Sequence, residues 1–199
     1  MEIYLVRHGE TVWNKKRLLQ GSTDIELSDE GINLAKITSE KIADIYFDKI
    51  YSSPLSRAYE TAKILRGGRE IEIIKDERLR ELSFGTNEGK NSIKLQEDEN
   101  NPFHYFFTNP ELYTPAEGGE TLEHICERGK DFLQAVIEPQ AEQLERVLIV
   151  AHGAMNKALM CHIENHGISE YWSGGLQKNC GIIIARLDDW GYTVLEEGR

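Results

Sequence analysis

Two histidines close two similar stretches of this chain. Residues 2–10 read Glu-Ile-Tyr-Leu-Val-Arg-His-Gly-Glu and residues 146–153 read Arg-Val-Leu-Ile-Val-Ala-His-Gly, so His8 and His152 each follow a short apolar run and precede a glycine. A neutral imidazole carries a lone pair that can attack an electrophile. With Arg7 beside it, the expected electrophile is an anion, phosphate first, whose charge a guanidinium offsets. A single His-Gly pair is more often a packed or surface feature. Its repetition at the ends of two apolar runs makes a shared site the better reading.

Both runs are continuously apolar and rich in β-branched residues, which suits strands covered on both faces of a parallel sheet. Ligands of open α/β sheets bind beyond the carboxyl ends of the strands, so His8 and His152 are expected on one rim. Between them the chain supplies crossovers. Ser28 is a good N-cap, Asp29 and Glu30 suit the positive end of a helix, and Ile32, Ala35, Ile42 and Tyr46 fall on one face. A second strand is expected near residues 49–52. It runs into Ser-Ser-Pro-Leu-Ser-Arg-Ala, with Pro54 suited to a first helical turn, free amides there and Arg57 about a turn further in, a combination that favours an anion. Residues 70–74 read as a third strand. Leu122, Ile125, Cys126, Gly129, Phe132, Leu133, Val136 and Ile137 form a helical core stripe ending before Pro139, and a helix over 154–164 follows the second His-Gly, its first amides at Gly153 or Ala154 facing an anion. Residues 179–187 and 192–196 read as a terminal hairpin.

Composition narrows the function classes. The 199 residues include 34 acidic and 23 basic side chains, a formal charge of −11 that argues against a broad nucleic-acid or anionic-membrane surface. No apolar run approaches a membrane span, and Glu2 and Arg7 interrupt any signal-like core, so a cytoplasmic protein is expected. Cys126, Cys161 and Cys180 are widely spaced and odd in number, which points to reduced, mostly buried thiols. His162 and His166 are four apart without the zincin pattern, and no metal site and no cofactor are expected. Residues 103–113 hold an unusual density of aromatics within a variable segment around 90–118; a minor core, a subunit contact of a homodimer and a lid over the organic part of a substrate all fit it.

Four landmarks, in order, resemble the histidine phosphatase superfamily, the phosphoglycerate mutase-like proteins, over nearly the whole chain. Arg7-His8-Gly9-Glu10-Thr11 with Asn14 is similar to the family signature. Residues 51–62, Tyr-Ser-Ser-Pro-Leu-Ser-Arg-Ala-Tyr-Glu-Thr-Ala, resemble the segment whose arginine grips phosphate, which is Arg57 here. Leu79-Arg80-Glu81 with Gly85 and Glu88-Gly89 resembles the proton-donor segment, with Asn87 where tryptophan is frequent and Glu77 and Glu88 as competing carboxylates. Residues 115–120 resemble Pro-x-Gly-Glu-Ser, with Thr121 for serine, and the second His-Gly completes the set. The resemblance implies one domain over residues 1–199, a three-layer α/β sandwich with a mostly parallel central sheet between helices. It implies catalysis by His8, Glu81 and His152 and phosphate binding by Arg7, Asn14, Arg57 and Gly153, with Arg17, Gln20 and Gly21 placed toward the leaving group.

The chemistry then expected is a phosphohistidine intermediate without a metal. Arg7, Arg57 and His152 offset the charge of the equatorial oxygens, the arginines lower the pKa of His8, and Glu81 protonates the leaving alkoxide before activating water. The resulting expectation is a phosphatase for a small phosphomonoester, a sugar phosphate or similar metabolite. A cofactor-dependent phosphoglycerate mutase is the alternative; its acid sits in a Glu-Arg-His-Tyr-Gly-like segment, whereas residues 80–85 here read Arg-Glu-Leu-Ser-Phe-Gly. A catalytically idle phosphate-binding protein is the third reading.

Overall fold

The computed structural model describes residues 1–197, and one six-stranded sheet in the order β3-β2-β4-β1-β5-β6 organises them. Its strands are β1 (Glu2–Arg7), β2 (Lys49–Ser52), β3 (Ile73–Lys75), β4 (Arg146–Ala151), β5 (Ile182–Asp188) and β6 (Gly191–Glu197). The first four are mutually parallel; β5 runs antiparallel to β1, and β6 turns back beside it as the second arm of a hairpin on one edge. The helices are α1 (Val12–Lys15), α2 (Asp29–Lys41), α3 (Ser56–Arg66), α4 (Ser92–Glu97), α5 (Leu122–Phe132) and α6 (Gly153–Ile163).

The alternation of a strand sends successive side chains to opposite faces, and here both faces are apolar. Ile3 and Leu5 of β1, with Val147, Ile149 and Ala151 of β4, belong to the larger core packed against α5 and α6. Tyr4 and Val6, with Leu148 and Val150, belong to the smaller core, to which α3 adds Ala58, Ala62 and Leu65. This is the three-layer α/β architecture expected from the sequence. Truncating a side chain such as Leu5 or Phe132, both fully buried, would cost about 2–5 kcal/mol.

Pairing of β1 with β4 fixes the site. Glu2 lies opposite Arg146 and Arg7 opposite Ala151, so the strands run in register to their last residues. The N–H of His8 then donates to the carbonyl of Ala151 at 3.0 Å. The two His-Gly pairs therefore leave the sheet side by side.

Several element bounds differ from the sequence expectation. The third strand is Ile73–Lys75 rather than 70–74. α2 stops at Lys41, so Tyr46 lies beyond it and is exposed, while Phe47 fills the core position. Pro54 lies ahead of the N-cap Leu55, which puts Arg57 in the first turn of α3. The core stripe of α5 passes into a π-helical turn at Leu133–Ile137, and Pro139 sits in the short 3-10 turn that follows. Among the described residues no helix is long and apolar enough to cross a membrane.

Candidate active site

His8 and His152 are buried with ring centroids 5.1 Å apart. Nδ1 of His8 lies 2.7 Å from the carbonyl of Gly9, and because a carbonyl only accepts, Nδ1 carries the proton. The lone pair is thus on Nε2, which has no protein partner. Gly9 is held by its own N–H, which donates to Thr61 Oγ1, and the carbonyl of His8 accepts from Asn179 Nδ2. His152 is fixed by Ser53, whose Oγ is 2.7 Å from its Nε2. Burial foremost, then Arg57 and Arg7, hold His8 well below its ordinary value of 6.5. His152 moves the same way through burial, Arg57 and His8, so both rings are neutral at pH 7.

Two guanidinium groups stand beside them. Arg7 ends β1 and donates through Nη1 to the carbonyl of Gln177 at 2.6 Å; Arg57 donates from Nη1 to Thr23 O and from Nη2 to Gly21 O at 2.9 and 2.8 Å. Burial lowers Arg57 to about 10, which leaves it cationic in any neutral buffer. Arg7 Nε, Arg57 Nε and His152 Nδ1 are buried without a partner. Orphaned buried polar atoms are rare, and three of them on residues beside the His8 imidazole form a site that an oxyanion would satisfy.

Glu81 lines the same cavity, and its carboxyl is held by three amides. Oε1 accepts from Met155 N at 3.0 Å and Leu82 N at 2.9 Å, and Oε2 from Ala154 N at 3.2 Å. Oε1 has both lone pairs engaged, leaving Oε2 the oxygen with room for chemistry. The amides at the start of α6 are therefore engaged from within the chain: the carboxyl of Glu81 takes those of Ala154 and Met155. Gly153 keeps its place on the cavity wall, beside Arg7. The start of α3 is likewise filled from within, since Asp24 accepts from the amide and hydroxyl of Ser56, so Arg57 brings its side chain rather than free amides to the site.

The remaining candidates surround a cavity of about 430 Å³ that Arg7, His8, Asn14, Arg17, Gln20, Gly21, Arg57 and Glu81 all line. Asn14 spends Oδ1 on the N–H and hydroxyl of Thr11, in a capping box of α1, so only its Nδ2 is left for a ligand. Gln20 accepts from the same hydroxyl. Gly21 has φ +55° and contributes a carbonyl to Arg57. Of the competing carboxylates, Glu77 is solvent-exposed and pairs with Arg80. Glu88 accepts from the amides of Ser22, Thr23 and Phe84 and from the Thr23 hydroxyl, fixing the loop whose carbonyls orient Arg57. His162 pairs with Glu138 and His166 with Glu164.

Residues 103–113 resolve into a roof. Phe103 and Phe106 are buried, and Phe106 packs with Phe84, Phe107, Tyr113 and Trp172 at centroid distances of 4.9–5.4 Å. Phe106, Phe107 and Trp172 line the cavity, so the segment is continuous with the core and also forms one wall of the space that His8, Arg7 and Arg57 share. Ser53, Gln177, Asn179 and Glu88 were not singled out by sequence reasoning for the places they take; only Glu88 carried a signal, and it pointed to the wrong role.

A doubly wound sheet with two histidines at adjacent strand ends, two arginines and a carboxyl in one cavity defines a class. The chain belongs to the histidine phosphatase superfamily (branch 1), whose profile matches residues 3–198. It is 31% identical to phosphoserine phosphatase 1 of Hydrogenobacter thermophilus, over 98% of this chain and 91% of that protein. It is 36% identical to a 2,3-bisphosphoglycerate-dependent phosphoglycerate mutase of Cytophaga hutchinsonii, over 81% of this chain and 76% of that one. Among solved structures, Bacillus stearothermophilus YhfR superposes with a TM-score of 0.90 at 34% identity, covering 99% of this chain and 96% of that chain.

Proposed function

We propose that this protein is a metal-independent phosphatase that hydrolyses a small phosphomonoester through a phosphohistidine on His8. The observation that carries the reading is the free lone pair of His8 Nε2 among three unpartnered buried nitrogens of Arg7, Arg57 and His152. In the first half-reaction Nε2 attacks phosphorus, the ester P–O bond breaks opposite it, and Glu81 gives its proton from Oε2 to the departing alkoxide. In the second, a water attacks the phosphohistidine, Glu81 takes the water's proton, and the P–N bond breaks to return a neutral imidazole and inorganic phosphate. Arg7 and Arg57, with Nδ1 of His152, face the charge on the non-bridging oxygens. Asn14, Gln20, Gly21, Arg17 and Gly153 complete the walls, and the rings of Phe106, Phe107 and Trp172 meet the organic part of the ester.

Turnover of 4-nitrophenyl phosphate in excess chelator tests the proposal, with His8→Ala as the paired measurement. Activity should survive the chelator and vanish in the variant; activity retained by His8→Ala removes the assignment. The relative named as a mutase supports a second reading, in which the same pocket returns phosphate to another hydroxyl. Supplying 3-phosphoglycerate separates the two: free phosphate is expected, and the 2-isomer would favour the mutase.

A further inference from the structure

The acid segment, residues 78–83, has little regular structure of its own beyond the short turn Glu77–Leu79. Its shape comes from one side chain on α5. Arg128 donates from Nε to Glu120 Oε1 at 2.7 Å and from Nη2 to Glu120 Oε2 at 2.9 Å. The same guanidinium donates from Nη1 to the carbonyls of Arg78 and Arg80, at 2.5 and 2.7 Å, and from Nη2 to the carbonyl of Glu81 at 3.2 Å. A guanidinium has five N–H groups, and all five are engaged here on separate contacts. Glu120 closes the clamp on the other side: Oε2 accepts from Ser83 N at 3.3 Å, its own N–H donates to Ser83 O, and Oε1 also meets His124 Nδ1.

From this geometry we infer that Arg128, with Glu120, is a positioning residue for the proton transfer, setting the backbone of residues 78–83 so that the carboxyl of Glu81 lies between the α6 amides and the leaving oxygen. Arg128 has no N–H left for a substrate and does not line the cavity, so it acts through Glu81. The inference rests on the reading of Glu81 as the acid. Lysine cannot replace it, because a single ammonium does not span a carboxylate and three carbonyls.

The test compares kcat/KM, which reports transfer of phosphate to the enzyme, for an alkyl ester such as propyl phosphate and for 4-nitrophenyl phosphate, whose leaving group needs little protonation. Glu81→Gln, Arg128→Met and Arg128→Lys are measured side by side, with thermal midpoints recorded. Glu81→Gln should lose about 10²-fold or more on the alkyl ester beyond its loss on the aryl ester. Both Arg128 variants should show the same bias, about tenfold or more, with KM little changed. If Glu81→Gln is selective while the Arg128 variants lose both substrates equally, Arg128 is merely structural and the inference fails alone. If Glu81→Gln shows no bias, the acid assignment falls and takes this one with it. Arg128→Lys, which keeps the charge beside Glu120, carries the test should Arg128→Met fail to fold.

Discussion

At the scale of single residues, the site depends on keeping an imidazole neutral next to two cations. Burial and the Arg57 and Arg7 charges hold His8 well below 6.5, and His152 shifts with it. Below that ordinary value the unfolded chain binds protons that the folded site refuses, so these two groups make stability fall as pH drops through about 6.5. Urea unfolding from pH 7.5 to 5 should therefore show declining stability, with a shallower slope in His8→Asn, which removes one of the two groups. The kcat/KM profile should show no acid limb from His8 near 6.5, and replacing Arg57, whose charge helps depress His8, should move the limb upward; a wild-type limb at 6.5 that the Arg57 replacement leaves in place would contradict the assignment. His8, His152, Arg7 and Arg57 were legible in the sequence because their neighbours form local motifs. Ser53 and Gln177 were not, since each holds His152 or Arg7 through a contact 99 or 170 positions away.

At the scale of elements, close approach of backbone segments sets the pocket. α2 begins against the segment that follows His8: a Cβ on Gly31 would stand 2.0 Å from the carbonyl oxygen of Glu10. Gly31→Ala should then displace residues 9–10, lowering stability by about 1–3 kcal/mol and reducing kcat more than a surface change of equal stability cost. Gly21 has a second constraint, φ +55° with a Cβ position 2.1 Å from Glu88 Oε1, so Gly21→Ala should loosen the loop that orients Arg57 and raise KM for phosphate esters. Phosphate inhibition constants would read the effect. Continuous apolar, β-branched runs made β1 and β4 plain, and Ser28 announced α2. The bounds missed, at Tyr46, Pro54 and residues 70–74, lie where the chain leaves regular structure and tertiary packing outweighs local preference.

At the scale of the whole molecule, a strongly acidic chain encloses a small cationic pocket under an aromatic roof. Composition alone disclosed the charge balance, and the aromatics of 103–113 announced something unusual without saying what. The roof depends on Trp172, distant in sequence, whose Nε1 donates to the carbonyl of Phe106 at 2.5 Å and whose ring packs against Phe106 and Phe107. Phe106→Ala should lower stability by about 3–5 kcal/mol because the ring is buried in that cluster. Trp172→Ala should raise KM for aryl phosphates with a smaller change in kcat, as expected of a wall that binds ground and transition states alike.

The central claim is that phosphate passes through His8. Rapid quenching at alkaline pH with substrate carrying radiolabelled phosphate, followed by peptide mapping, measures this directly. Label should appear on the peptide containing His8, be lost on acidification, and be absent from the His8→Ala protein. Label on another residue, or full turnover with no labelled enzyme at any quench time, would contradict the account.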